Sequence, residues 1–216
     1  MPVNRKDVEK ALDEALAAKG ERKFTQSIDL AFNFKDVDFK KAEQRLSAEV
    51  VLPFAPKAVK VGVFADGQLA TDAQKAGAEM VFSTAQIDAF SKDKKKQKEL
   101  LDYALLAAPQ MMVVVGKAFG QLLGGKGKLP KPILPNANLS VLVSNARKTI
   151  VVKAKGKFLP SVHCVIGREN QPKDEVVENI IAVLDAVEKK INSQNIRSVF
   201  VKTTMGKPVR IPVQGN

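Results

Sequence analysis

Residues 201–212 read VKTTMGKPVRIP. Two hydroxyls (Thr203, Thr204), a flexible apolar side chain (Met205) and a glycine (Gly206) stand in a row, flanked by Lys202, Lys207 and Arg210. Hydroxyls bond 2′-hydroxyls and phosphates, glycine lets a backbone come close, and methionine lies against an unstacked base or sugar. These are the means by which a surface reads folded RNA. The same residues are also compatible with a plain strand followed by a turn.

Two other stretches invite nucleotide chemistry. GQLLGGKGKLP, from Gly120 to Pro130, has Gly120, Gly125 and Lys126 in the spacing of a phosphate-binding loop, but Gly127 stands where Ser or Thr must hold magnesium. Such a loop needs a strand before it and a helix after it, so that backbone N–H groups and the helix dipole meet the phosphates. Here a helical pattern precedes the glycines, and Pro130 and Pro132 block a helix just downstream. The expectation is a flexible basic loop carrying Lys126, Lys128 and Lys131. VFADGQ offers only Gly67 of a dinucleotide fingerprint and reads as an ordinary turn.

Catalytic groups are scarce. His163 is the only histidine and Cys164 the only cysteine. Neighbours on a strand point to opposite faces, so the two do not share a metal site or a catalytic pair. There is no Cys/His cluster for zinc and no nucleophile elbow. His163 is expected to be structural or a polar surface contact, and neither a cofactor nor a metal is expected. A lone cysteine forms no internal disulfide, and the first residues lack the apolar segment of a signal peptide, which favours the cytoplasm.

Charge points toward a polyanion. The 216 residues carry 35 Lys+Arg against 23 Asp+Glu, a net charge of +12. Between Asp102 and Glu169 no acidic residue occurs, while Lys117, Lys126, Lys128, Lys131, Arg147, Lys148, Lys153, Lys155, Lys157 and Arg168 do. Those cations lack local partners and are expected to face solvent or phosphate, where counterion release makes binding salt-dependent. No apolar run approaches the roughly 20 residues of a membrane span.

The elements that position these residues follow from periodicity. Val8, Leu12 and Leu16 predict a helix over 5–19, with Asn4 as its cap and Gly20 as its end. KFTQSIDLAFNF alternates, with Phe24, Ile28, Leu30, Phe32 and Phe34 on one face, and predicts a half-buried strand. LSAEVVLP is a second strand, stopped by Pro53. Beyond Pro56 short apolar strands (AVKVGVFA, AEMVFS, ALLAAP) alternate with helices (GQLATDAQKAG, QMMVVVGKAFGQLLG), and SKDKKKQKELLDY reads as a solvated helical face. Strands alternating with helices imply parallel pairing. Near Arg147 the first pattern returns in TIVVKAKG and SVHCVIG, a long amphipathic helix over KDEVVENIIAVLDAVEKKINSQ, and the strand IRSVFVKTT. The expected fold is an α+β base domain formed by both chain ends (1–56 and 148–216), with an inserted α/β, Rossmann-like, three-layer domain (57–147) and linkers near Pro56 and Asn145.

TTMG, KFTQSIDL, LLGGKGKLPKP and VHCVIG…VVENI, in that chain context, together resemble the large-subunit ribosomal protein L-one family in its archaeal form, nearly end to end. The resemblance implies a two-domain, non-enzymatic RNA-binding protein. Its expected partners are the mobile stalk of large-subunit ribosomal RNA, the deacylated tRNA whose exit it assists, and its own messenger RNA, whose translation it represses. No membrane partner is implied, and the free protein is expected to be a monomer. The family's RNA contacts fall on Lys23, Phe24, Ser27, Thr204, Met205 and Gly206. Arg45 matches a family arginine, His163 and Gly167 match its strand pattern, and Arg168 stands where lysine is usual. The inserted domain's loop usually reads L-G-P-R-G-x-M-P; here Gly125, Lys126 and Leu129 replace Pro, Arg and Met. The alternatives are a nucleotide-binding enzyme on the inserted domain, which a nucleotide titration discriminates, and a general basic coat for nucleic acid.

Overall fold

The computed structural model describes residues 3–41, 44, 46–134, 137–154 and 159–213. In chain order the elements are α1 (Arg5–Ala17), β1 (Ser27–Phe34), β2 (Ser47–Val51), β3 (Lys60–Phe64), α2 (Gln68–Lys75), β4 (Met80–Phe82), α3 (Thr84–Lys92), α4 (Lys94–Glu99), β5 (Tyr103–Ala107), α5 (Pro109–Lys126), β6 (Lys131–Pro132), α6 (Leu139–Lys148), β7 (Thr149–Lys153), β8 (Ser161–Arg168), α7 (Lys173–Glu188), β9 (Ile196–Thr203) and β10 (Val209–Ile211). The chain divides into two compact units, Met1–Lys57 with Lys148–Asn216, and Ala58–Arg147.

The unit built from both chain ends is α+β. Its antiparallel sheet has the order β10–β9–β1–β8, and β2 pairs with β7 beside it. Strict alternation in β1 puts Ile28, Leu30, Phe32 and Phe34 in the core. Burying each such side chain stabilises by roughly 1.5–3 kcal/mol. The helices cover that face: α1 through Val8, Ala11, Leu12 and Ala15, and α7 through Val176, Ile180, Val183, Leu184 and Val187. Asn4 stands at the cap of α1, but its side chain makes no capping bond; its carbonyl accepts from Asp7 and Val8 N–H instead. Phe24 lies before β1, not in it, and is exposed.

β2 and β7 run together to the point where the chain leaves and re-enters this unit. Val51 pairs with Thr149, and Leu52 N–H donates to the Lys148 carbonyl at 3.1 Å. Beyond it, Asn179, wholly buried in α7, accepts from Phe54 N–H (3.1 Å) and donates to the Phe54 and Ile166 carbonyls (3.0 and 2.9 Å).

The unit of residues 58–147 has a parallel sheet, β4–β3–β5–β6. β3 is buried along four consecutive residues, as a central strand covered on both faces must be. One covering layer packs Ile87, Met111, Val115 and Phe119 against Phe64 and Phe82 of the sheet; the other packs Ala73 and Val143 against Val61 and Val63. The result is three layers.

Three expectations change here. The helix expected over QMMVVVGKAFGQLLG runs two residues beyond Gly124, through Gly125 to Lys126, so the basic loop starts later than expected; Met111, Val115, Phe119 and Leu123 form its buried stripe. Left-handed Gly127 (φ 64°) then caps it, with Lys128 N–H bonded to the Leu123 carbonyl at 2.9 Å. The region near Asn145 is α6 running directly into β7, not a linker. The lysine-rich stretch is broken at Asp93 between α3 and α4 instead of forming one helix.

Candidate nucleic-acid interface

Antiparallel pairing gathers distant sequence at one sheet edge. β1 begins where β8 and β9 end, so Ser27 lies opposite Arg168, and Ile28 lies opposite both Gly167 and Thr203. Ser27 and Thr204 close the edge with three bonds. Thr204 N–H donates to the Ser27 carbonyl (3.0 Å), Ser27 N–H to the Thr204 hydroxyl (3.1 Å), and that hydroxyl to the Ser27 carbonyl (3.3 Å).

Beneath the edge sits Gln26, which is wholly buried. Its amide donates to the Lys19 carbonyl (3.0 Å) and accepts from Met205 N–H (2.9 Å). Its backbone N–H bonds Glu169 Oε1 at 3.0 Å, and its carbonyl accepts from Glu169 N–H at 3.1 Å. Glu169 also pairs with Lys19 at 3.2 Å. The Gln26 N–H first, and Lys19 after it, hold the Glu169 carboxyl below the usual glutamate range. Gln171 accepts from Arg168 N–H (2.9 Å) and donates to the Ala55 carbonyl (2.8 Å). Sequence reading passed over all three residues. For Gln26 a signal existed: it is a polar residue on the core parity of β1.

Above this buried scaffold the edge is open. Phe24 is 49% exposed and Met205 59%, both far above what a residue of the core shows. Lys23, Lys207 and His163 are exposed, and Ser27 and Arg168 half-buried. His163 and Cys164 take opposite faces of β8, as strand alternation demands. Burial pushes the Cys164 thiol up to about 12, with Asp29 adding to the effect, so it is protonated at neutral pH. Asp29, on the outer face of β1, is raised by burial, while the positive charges of Lys202 and His163 oppose the shift.

Several expected residues do other work. Thr203, expected at the contact surface, is wholly buried instead, because strand alternation turns it to the core. Gly206 has the Thr203 hydroxyl 2.2 Å from where a Cβ would stand, which explains the glycine by close packing. Gly167 is buried too, and the place of its Cβ is taken by Gln171 Oε1 (2.8 Å) and Val176 (3.1 Å), so it serves packing rather than contact. Arg45, Lys155 and Lys157 lie outside the described residues.

The acid-free interval also finds partners from elsewhere. Arg147 pairs with Glu79 at 2.7 Å and bonds the Gly77 carbonyl at 2.7 Å. The Lys128 ammonium donates to the Leu101 carbonyl, and Lys131 is half-buried in β6. Lys126 is exposed at the C-terminus of α5, where a cation complements the helix dipole. An anion at that end would meet the negative pole, opposite to the geometry of a phosphate loop. Among the described residues no cluster of His, Cys, Asp and Glu could hold a metal ion, and no helix is long and apolar enough to cross a membrane.

An open, cation-flanked sheet edge of this kind suits a polyanionic partner, in the manner of basic proteins that work on nucleic acid. The chain belongs to the Ribosomal protein L1p/L10e family, whose sequence profile it matches over residues 6–207. It is 40% identical over 210 residues to the large ribosomal subunit protein uL1 of Thermofilum pendens, covering 94% of this chain and 92% of that one. It is 36% identical to its counterpart in Methanocella arvoryzae (96% and 99%) and 35% identical to that of Archaeoglobus fulgidus (98% and 100%). The family is one of structural ribosomal proteins, not enzymes, and membership places the chain with the ribosome of the cytoplasm and its RNA.

Proposed function

We propose that this chain grips the stalk of large-subunit ribosomal RNA with the open edge formed by β1, β8 and β9, assists deacylated tRNA in leaving the exit site, and represses translation by binding its own messenger RNA. One observation carries the reading. Phe24 and Met205 stand exposed just beyond the Ser27–Thr204 closure, where β1 begins and β9 ends, and Met205 N–H is bonded to buried Gln26. Exposed apolar groups beside hydroxyls and backbone oxygens suit a folded RNA surface with 2′-hydroxyls in reach. Lys23, Arg168, His163 and Lys207 add attraction to phosphate, and with it salt dependence. A messenger leader folded like the stalk would compete for the same edge, which links assembly to repression.

The test is gel-shift competition among stalk RNA, messenger leader and unrelated RNA, with Met205→Ala and Thr204→Val. Each variant should lose roughly 1–3 kcal/mol of stalk binding, the scale of one desolvated polar or apolar contact, with an unchanged circular dichroism spectrum. Equal binding of all three RNAs by the unaltered protein would reject the reading in favour of a general basic coat.

A further inference from the structure

The helices cover one face of the β10–β9–β1–β8 sheet; the alternate residues of β1, Ser27, Asp29, Ala31 and Asn33, take the other. At its strand-tip half lie Ser27, Asp29 and His163. Further along the same strands is a cleft of about 550 Å³, within the size range of small-ligand sites, lined by Asn33, Arg197, Ser198, Phe200 and Arg210 among others. Its lining contains no carboxylate.

The register explains how the cleft is furnished. Arg210 of β10 lies opposite Phe200 of β9, and Asn33 of β1 opposite Ser198. The pairing of β1 with β9 then slips, Phe34 meeting Ile196, so Arg197 is the extra residue of a β-bulge. Bulges re-aim side chains, and this one puts Arg197 on the cleft. The Asn33 amide donates to the Ser198 hydroxyl at 3.1 Å, leaving that hydroxyl its own proton to donate. An aromatic face half-open on a sheet, flanked by guanidinium groups and by an amide–hydroxyl pair, has the elements that hold unpaired nucleotides: stacking for a base, charge for its phosphate, hydrogen bonds for edge or sugar. The cleft and the strand-tip edge lie at opposite ends of the same two strands, β1 and β9.

We propose that this half of the sheet face is a second RNA-binding station, separate from the strand-tip edge, which stacks an unpaired base on Phe200 and holds its phosphate with Arg197 and Arg210. The proposal rests on the RNA-binding reading of the strand tips. It is tested on the full chain by fluorescence anisotropy with a stalk hairpin, the same hairpin bearing an unpaired tail of about six nucleotides, and the free tail. The tail should tighten binding about tenfold, in keeping with stacking of one base. Phe200→Leu, which keeps apolar volume but loses the ring, and Arg210→Ala should each abolish most of that gain, with the plain hairpin held as before. No gain from the tail, a gain that survives both substitutions, or displacement of the free tail by an acidic peptide at equal concentration would overturn the station and leave the strand-tip reading standing. Loss of hairpin binding by the unaltered protein, with the free tail still bound through Phe200, would reject the strand-tip reading and keep the station.

Discussion

Gly206 shows how closely the strand tip is packed. A methyl group there would collide with the Thr203 hydroxyl, so Gly206→Ala should cost about 1–3 kcal/mol, the usual range for overpacking. Much of that loss should disappear in a Thr203→Ala background, a coupling that a double-mutant cycle in urea would measure. Two carboxylates at the same edge should respond to pH in opposite senses. Glu169 is held below the ordinary range, so its contribution is present above that range and disappears as pH falls through its own lower value. Glu169→Gln should therefore melt below the unaltered protein at neutral pH and converge with it in acid. Asp29 is raised by burial, so its protonated form is the one the fold favours; that contribution is complete in acid and is lost as pH rises through the raised value. Asp29→Asn should melt above the unaltered protein at neutral pH, the gap closing in acid. Among the exposed groups of this edge, Thr204 and Met205 stand out by their own chemistry, whereas Phe24, which alternation puts on the buried face of a strand, and Ser27 are marked only by the family resemblance. The supporting half was not legible in the sequence: Gln26, Glu169 and Gln171 acquire their roles only when three strand ends meet, and Thr203 looked like its neighbour Thr204 until alternation turned it inward.

Elements were legible where periodicity was strong. β1, α7 and the core strands of the parallel sheet follow from alternation, a helical stripe and short apolar runs. α5 ends at Lys126, two residues past its expected end at Gly124, because the left-handed glycine that caps it is Gly127. The glycines inside this helix leave room for a gain. Gly120 has nothing within 4 Å of a built Cβ and sits mid-helix, so Gly120→Ala should stabilise by up to about 1 kcal/mol in chemical unfolding. α3 and α6 were missed because each is short and lies beside polar or proline-rich sequence. At the end of α5, Lys126 is open while the Lys128 ammonium is bonded to the Leu101 carbonyl. If RNA reaches that end, Lys126→Ala should lower the slope of log K against log salt by about one ion. An unchanged slope would remove the helix end from the interface.

For the whole molecule, the surplus charge of +12 favours long-range attraction to a polyanion, and in the proposed reading the strand-tip geometry selects what is bound within it. The composition disclosed the first. The second emerged from motifs far apart in the chain that antiparallel pairing brings to one edge. The pairing of β2 with β7 has a practical outcome. The polypeptide departs for its second unit and comes back through a gate one hydrogen bond wide, Leu52 to Lys148, with the departing strand anchored by Asn179. Among the described residues, the first unit's hydrophobic core is built from residues of that unit. Excising those residues and sewing the gate shut with a few glycines should give a miniature protein that still folds cooperatively and keeps the Ser27–Thr204 clasp. A miniature that unfolds on its own would mean that the insertion acts as a brace and not as a passenger.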